Sequence, residues 1–149
     1  MAKDGYTIRP MVVSDAGHVA ELCGELGYDV VPADVAERFA GTADDQDHAL
    51  LVAEAMDGAI LGWLHVHRTK LLVSPPSAEI GGLIVGSGSR RHGVGAALMA
   101  AAEEWARGAG CQLVRLRSNV VRTDAHAFYE RLGYMNAKTS HTFEKPIQA

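Results

Sequence analysis

The chain of 149 residues has only two cysteines, Cys23 and Cys111, far apart and with no CxxC pattern. That excludes a disulfide framework and a cysteine metal site, and points to buried free thiols in a reducing cytosol. No run of about 20 apolar residues occurs, which argues against a transmembrane helix. The first residues, Met1 to Tyr6, carry no apolar signal-peptide core, so a cytoplasmic protein with no membrane partner is expected. Net positive charge is also missing. The formal charge is −4, which disfavours nucleic acid as a partner.

What charge there is sits unevenly. Up to Asp57 there are 3 Lys/Arg against 12 Asp/Glu, and from Gly58 onward 11 against 6. An acidic first part and a basic second part suit a cationic ligand near the former and a polyanionic ligand on the latter, although a solvated surface can show the same asymmetry. The length and the ordinary apolar fraction suit one domain, residues 1–149, with a single core.

The hydrophobic pattern predicts a strand over 6–13. Ser14 or Asp15 then caps a helix carrying Val19, Leu22, Cys23 and Leu26, which Gly27 stops. Val31 to Ala40 is a second helix with Pro32 in its first turn. HALLVAEA (48–55) and AILGWLHVHRT (59–69) are strands, and Asp57-Gly58 between them signals a hairpin. KLLVSPPS (70–77), with two adjacent prolines, reads as a loop or edge, and AEIGGLIV (78–85) as a buried strand. A helix over about 93–107, a strand CQLVRLRS (111–118), a helix over 124–132 and two short strands near 134–137 and 140–145 complete the expectation. The order is that of a mixed α/β sheet flanked by helices.

The stretch SGSRRHGVGAALMAAAEEW (87–105) places glycines and arginines before a helix. It is either a turn or a phosphate site. A helix start has unpaired N–H groups and a positive dipole end, glycines let an anion reach the backbone, and arginines add charged donors. No Gly-Lys-Ser/Thr is present for a Walker A loop. The dinucleotide fingerprint fails because Arg91 stands where its last glycine belongs. What remains is Arg-x-x-Gly-x-Gly, formed by Arg90, Gly93 and Gly95.

That pattern resembles the acetyl-CoA pyrophosphate loop of the GNAT superfamily of N-acetyltransferases. The strand AEIGGLIV precedes it, a helix and a strand follow, and the next helix carries Ala125-His126-Ala127-Phe128-Tyr129-Glu130-Arg131-Leu132-Gly133-Tyr134. This is similar to the family's A-x-x-F/L-Y-x-x-x-G-F/Y signature. The combined resemblance covers about residues 78–145. It departs at Ser87 and Ser89, where family loops often carry Pro and an aromatic, and at Arg122, where many members carry Asn.

The resemblance implies a mostly antiparallel sheet of about six to seven strands with about four helices, splayed between the strands at 78–85 and 111–118. It implies acetyl transfer from acetyl-CoA to a primary amine of a small molecule or peptide. Leu83, Ile84 and Val85 would pair with the pantetheine arm, as an added strand does. Arg90, Arg91, His92, Gly93, Val94, Gly95 and Ala96 would hold the pyrophosphate, with Asn119 and Phe128 also near the cosubstrate. Tyr129 occupies the general-acid position for the CoA thiolate. Glu79, which opens the AEIGGLIV strand, sits where some members carry a catalytic base; His65, His67 or a water chain ending at Glu54 or Glu79 are the alternatives. Tyr28, Asp29, Glu54, Trp63, His65 and Glu79 are candidates for the acceptor side, where carboxylates near an aromatic suit an ammonium group. Two histidines without a third ligand do not make a metal site, so no metal is expected. A homodimer is a family-level expectation.

Overall fold

The computed structural model describes residues 2, 3, 5–90 and 92–148. The chain divides into two compact units, residues 1–116 and 117–149.

The first unit holds one six-stranded sheet whose spatial order follows the chain. Its strands are β1 (Ala2–Lys3), β2 (Tyr6–Pro10), β3 (His48–Ala55), β4 (Ile60–Leu71), β5 (Ser74–Val85) and β6 (Val114–Leu116). Neighbours pair antiparallel from β1 to β5, and β6 joins β5 in parallel. Helices α1 (Ala16–Glu25) and α2 (Pro32–Ala40) come before β3, and α3 (Val94–Gly108) connects β5 to β6. A parallel pair needs such a crossover.

The pleat sorts β4. Leu64 and Val66 are fully buried, and Gly62 on the same row lies against Leu98 of α3. Trp63, His65 and His67 alternate with them onto the other face. There Val52 and Ile84 pack with Val19, Leu22 and Cys23 of α1, and Val35 and Phe39 of α2 join them. Each fully buried Leu, Val or Met contributes about 1.5–3 kcal/mol.

Two bulges shape the sheet. Ala53 faces Gly62 but Glu54 faces Ile60, so Leu61 is an extra residue in β4. His65 faces Gly82 but Val66 faces Ile80, so Gly81 is an extra residue in β5.

Several sequence expectations are corrected. KLLVSPPS is no loop: β4 and β5 run on to a tight turn at Leu72–Val73, with Leu71 opposite Ser74. Pro75 and Pro76 are tolerated because β6 pairs only from Ala78 onward, leaving one edge of β5 that requires no ladder donor there. The first strand stops at Pro10, and Val13–Asp15 form a 3-10 turn. Asp15 does not cap α1 with its side chain. It accepts instead from the Val12 N–H at 2.9 Å and from both terminal nitrogens of Arg9 at 2.9 Å. The last strand of the sheet spans three residues, not eight.

The second unit contains α4 (Thr123–Arg131) and an irregular C-terminal segment. The strands expected near 134–137 and 140–145 are absent among the described residues. Met135, Phe143 and Ile147 are almost fully exposed, so this segment has no buried face to offset the ordering cost of a ladder.

Candidate active site

The loop between β5 and α3 combines three features. A 3-10 turn spans Ser87–Ser89, Gly93 takes φ +77°, and α3 starts at Val94 with no side chain capping it. Gly93 needs its missing Cβ here, because the left-handed conformation costs other residues about 1–2 kcal/mol. The first helical N–H groups, those of Val94, Gly95 and Ala96, have no acceptor in their own helix and so face outward with the positive dipole end. Val94 itself is buried and anchors the helix start in the core. Arg90 and His92 are exposed beside it. Arg91 lies outside the described residues.

Two contacts that the sequence did not suggest hold this loop. Glu25, the last residue of α1, accepts from the Ser87 N–H at 3.1 Å and from its hydroxyl at 3.4 Å. At the other end the Tyr6 hydroxyl donates to the His92 carbonyl at 3.5 Å, from a side chain that is almost wholly buried. Loops lacking proline can therefore be stiffened by tertiary latches.

The strand leading into the loop offers an edge. β4 pairs with Leu83, Ile84 and Val85 through Leu64, Trp63 and Gly62. On the other side β6 pairs with Ala78, Glu79 and Ile80 and reaches no further. Within this unit the backbone of 81–85 thus keeps one edge without a strand. This is the divergence expected between the two strands, and it lies at the carboxyl end of β5, where α/β sheets bind ligands. The uncapped helix start and this edge are suited to a phosphate-bearing ligand with an extended arm.

The acceptor-side candidates lie on the α1/α2 face. Trp63 is half-buried, and a Cβ on Gly82 would come within 2.8 Å of its ring. Its indole N–H is buried with no partner at hydrogen-bonding distance, although it lies close enough to act on the Cys23 thiol. Burial is the larger influence on Cys23 and pushes that thiol up. Cys23 and Cys111 are both free. Tyr28 and Asp29 are exposed between α1 and α2. Glu54 is engaged by Arg9, whose Nε donates at 2.6 Å, so this carboxylate is committed to an ion pair. The same Arg9 fork holds the Asp15 carboxyl below the usual carboxylate range.

Glu79 stands opposite His67, with its Oε2 3.6 Å from His67 Nε2. His48, which the sequence reading passed over, completes a group. His48 Nδ1 and His65 Nε2 share a hydrogen bond of 2.9 Å. The three ring centroids lie 5.1, 5.4 and 5.7 Å apart. Burial, then the neighbouring His48 and His67, lower His65 from 6.5 to about 4. Among the described residues no three His, Cys, Asp or Glu side chains are disposed to hold a metal ion. Nor is any described helix long and apolar enough to cross a membrane.

In the second unit, Tyr129 sits half-buried on α4 with its ring edge-on to Phe128 at 5.1 Å and to Tyr134 at 6.2 Å. Burial pushes its phenol above the ordinary value, with the Arg122 charge acting the other way. It therefore keeps its proton at neutral pH, as a proton donor must. The Asn119 side-chain oxygen accepts from the Val121 N–H at 3.1 Å, which commits it to its own turn. The Asn119 carbonyl oxygen lies 3.0 Å from His126 Nε2.

The sequence matches the Acetyltransferase (GNAT) family over residues 19–134. It is 30% identical to an aminoglycoside N(6')-acetyltransferase type 1 of Stenotrophomonas maltophilia, covering 99% of this chain and 98% of the relative. Among solved structures it resembles a transcriptional regulator from Bacillus halodurans C-125, with TM-score 0.83 and 27% identity over 94% of this chain and 99% of the other. An aminoglycoside 6'-N-acetyltransferase bound to the bisubstrate analogue CoA-S-monomethyl-acetylneamine shares the fold, with TM-score 0.83 and 20% identity over 95% and 99% of the two chains.

Proposed function

This chain belongs to the GNAT family of N-acetyltransferases, whose acetyl donor is acetyl-CoA, and from that premise we propose that it acetylates a primary amine of a small molecule, with Tyr129 and Glu79 moving the protons. The observation that carries this reading is the pairing of an uncapped α3 start with the free edge of β5 immediately before it. When bound, acetyl-CoA supplies an activated acetyl group. The N–H groups of Val94, Gly95 and Ala96 and the cation of Arg90 would bind its pyrophosphate. The backbone of Leu83 to Val85 aligns its extended arm as an added strand would.

An amine must lose a proton before it attacks, and the departing thiolate must gain one. Glu79 draws in the ammonium group and takes its proton. The phenol of Tyr129 gives a proton to the sulfur. Trp63 and Tyr28 offer aromatic surface to the acceptor. Glu54 braces the β2–β3 pair through Arg9 and is not needed as a ligand. The 30% identity to an aminoglycoside N(6')-acetyltransferase across nearly the whole chain makes amino sugars the first acceptor class to test. The family match extends over residues of both compact units.

The test is thiol release from acetyl-CoA with a panel of aminoglycosides, polyamines and amino acids, confirmed by the mass gain of one acetyl group. Tyr129→Phe, which removes one hydroxyl, is expected to lower turnover about 10²-fold. Binding of acetyl-CoA without thiol release on any amine would leave a cosubstrate-binding domain and refute the enzyme. Unchanged turnover in Tyr129→Phe at every pH would remove the acid assignment alone.

A further inference from the structure

The same face of the sheet carries more proton-handling groups than one base requires. His48 from β3 and His65 and His67 from β4 bring their rings together beside Glu79 of β5. They gather at the β5 bulge. A Cβ on Gly81 would lie 3.5 Å from His65 Nδ1 and 3.6 Å from His67 Cδ2, so the missing side chain makes room for both rings. Gly81 is itself exposed and belongs to the unpaired edge at 81–85, so the rings lie beside that edge.

We infer that His48, His65 and His67 form, with Glu79, a single proton-accepting cluster in which the His67–Glu79 pair holds the proton taken from the acceptor ammonium and the hydrogen-bonded His48–His65 pair backs it. This rests on the acetyltransferase reading above. Three imidazoles in mutual contact do not all carry charge, because each added proton repels the next. The carboxylate beside His67 selects where one proton is best held. His65, half-buried and flanked by the other two rings, is the least suited to charge. Asp45, whose Oδ2 lies 3.9 Å from His48 Nε2, faces the group from the loop before β3. α2 contributes the apolar Val35 and Phe39 to the adjoining core. Arg68, next along β4, turns instead to Asp47 and the Ala109 carbonyl.

The balance is complete without a further reactant. The ammonium passes one proton to the Glu79 carboxylate, which hands it to His67 Nε2 and returns to its charged form. The amine nitrogen then bonds to the thioester carbonyl carbon as the C–S bond breaks. The sulfur takes the Tyr129 proton, and the nitrogen's second departing proton replaces it. One ammonium and one thioester give one amide, one thiol and one proton, which the cluster holds until solvent removes it.

Two measurements test this. Nitrogen-15 NMR of the imidazoles in the free protein needs no acceptor. His65 is expected to stay neutral at pH 6, and His48→Gln is expected to shift its ring resonances. A charged His65 at pH 6, or resonances indifferent to His48→Gln, overturns the inference even if no amine is ever acetylated, an outcome that would separately defeat the acetyltransferase reading. With an acceptor in hand, His67→Gln is expected to lower kcat/KM about 10²-fold at pH 7. The gap should close toward about pH 9.5, where an alkylamine of pKa about 10.4 begins to lose its proton unaided. An equal loss at all pH values marks a structural role and overturns the inference. His67→Asn serves the same test if the glutamine variant unfolds.

Discussion

Gly82 is the position where a single methyl group most directly tests the packing of the sheet face that α1 and α2 cover. A Cβ built there would lie 2.8 Å and 2.9 Å from two atoms of the Trp63 ring, closer than such contacts occur. The ring cannot simply rotate away, because it packs on the core formed by Val52, Ile84 and the α1 residues. Overpacking of this kind costs about 1–3 kcal/mol. Alanine returns part of that by restricting the unfolded chain, about 0.4–1 kcal/mol. Gly82→Ala should therefore lose about 1–2 kcal/mol net, or roughly 2–8 °C in Tm for a chain of this size. Trp63→Phe removes the atoms that would clash, and it also removes a buried N–H without a partner, which limits its own cost. The double variant should then be more stable than the sum of the two single changes predicts, by about 1 kcal/mol or more of coupling. Urea denaturation of the four proteins measures this. Strict additivity, or a Gly82→Ala variant as stable as the wild type, would refute the packing argument.

Other outcomes follow from the same geometry. Gly93→Ala forces a left-handed backbone on alanine and should cost about 1–2 kcal/mol; it should also weaken acetyl-CoA binding, read by titration calorimetry, because the helix N–H groups lose their aim. Glu25→Gln loosens the Ser87 latch and should raise KM for acetyl-CoA several-fold with a smaller change in kcat, and adding Ser87→Ala should do little more. Asp15→Asn breaks the charged pairing with Arg9 and should cost about 1.5–3 kcal/mol. The Asp15 carboxyl is held below its unfolded value, so the stability it contributes is present above about pH 4 and is lost as pH falls through the folded value. The wild type should therefore lose stability more steeply than Asp15→Asn below about pH 4, as read by Tm against pH.

How far the sequence could be read depended on how local the cause was. The strand over His48–Ala55 and the helix from Pro32 matched their periodic patterns closely, and the Arg-x-x-Gly-x-Gly loop fell at the start of α3 as expected. Those features are written in neighbouring residues. The Leu72–Val73 turn was missed because neither residue carries turn chemistry, while the prolines beside it suggested a loop. Tyr6 and Glu25 gave no local hint of their roles, since their partners lie 86 and 62 residues away. The C-terminal alternation looked like strands but has no buried face in its own unit.

The histidine cluster shows why the remainder was hidden. A regular hairpin continuing the Glu54–Ile60 pairing would set His48 opposite Val66, and His48 would then face away from His65 and His67. The extra residue at Leu61 shifts the register by one, so that His48 meets His67 and all three rings share a face. The second bulge, at Gly81, turns a gap toward those rings and brings Glu79 opposite His67. Neither bulge has a sequence signature strong enough to read in advance. Periodicity could assign His65 and His67 to one face, but only the two register shifts bring His48 and Glu79 to them. A change that restores regular pairing, such as deletion of Leu61, should therefore dismantle the cluster while leaving each of its four residues in place along the chain.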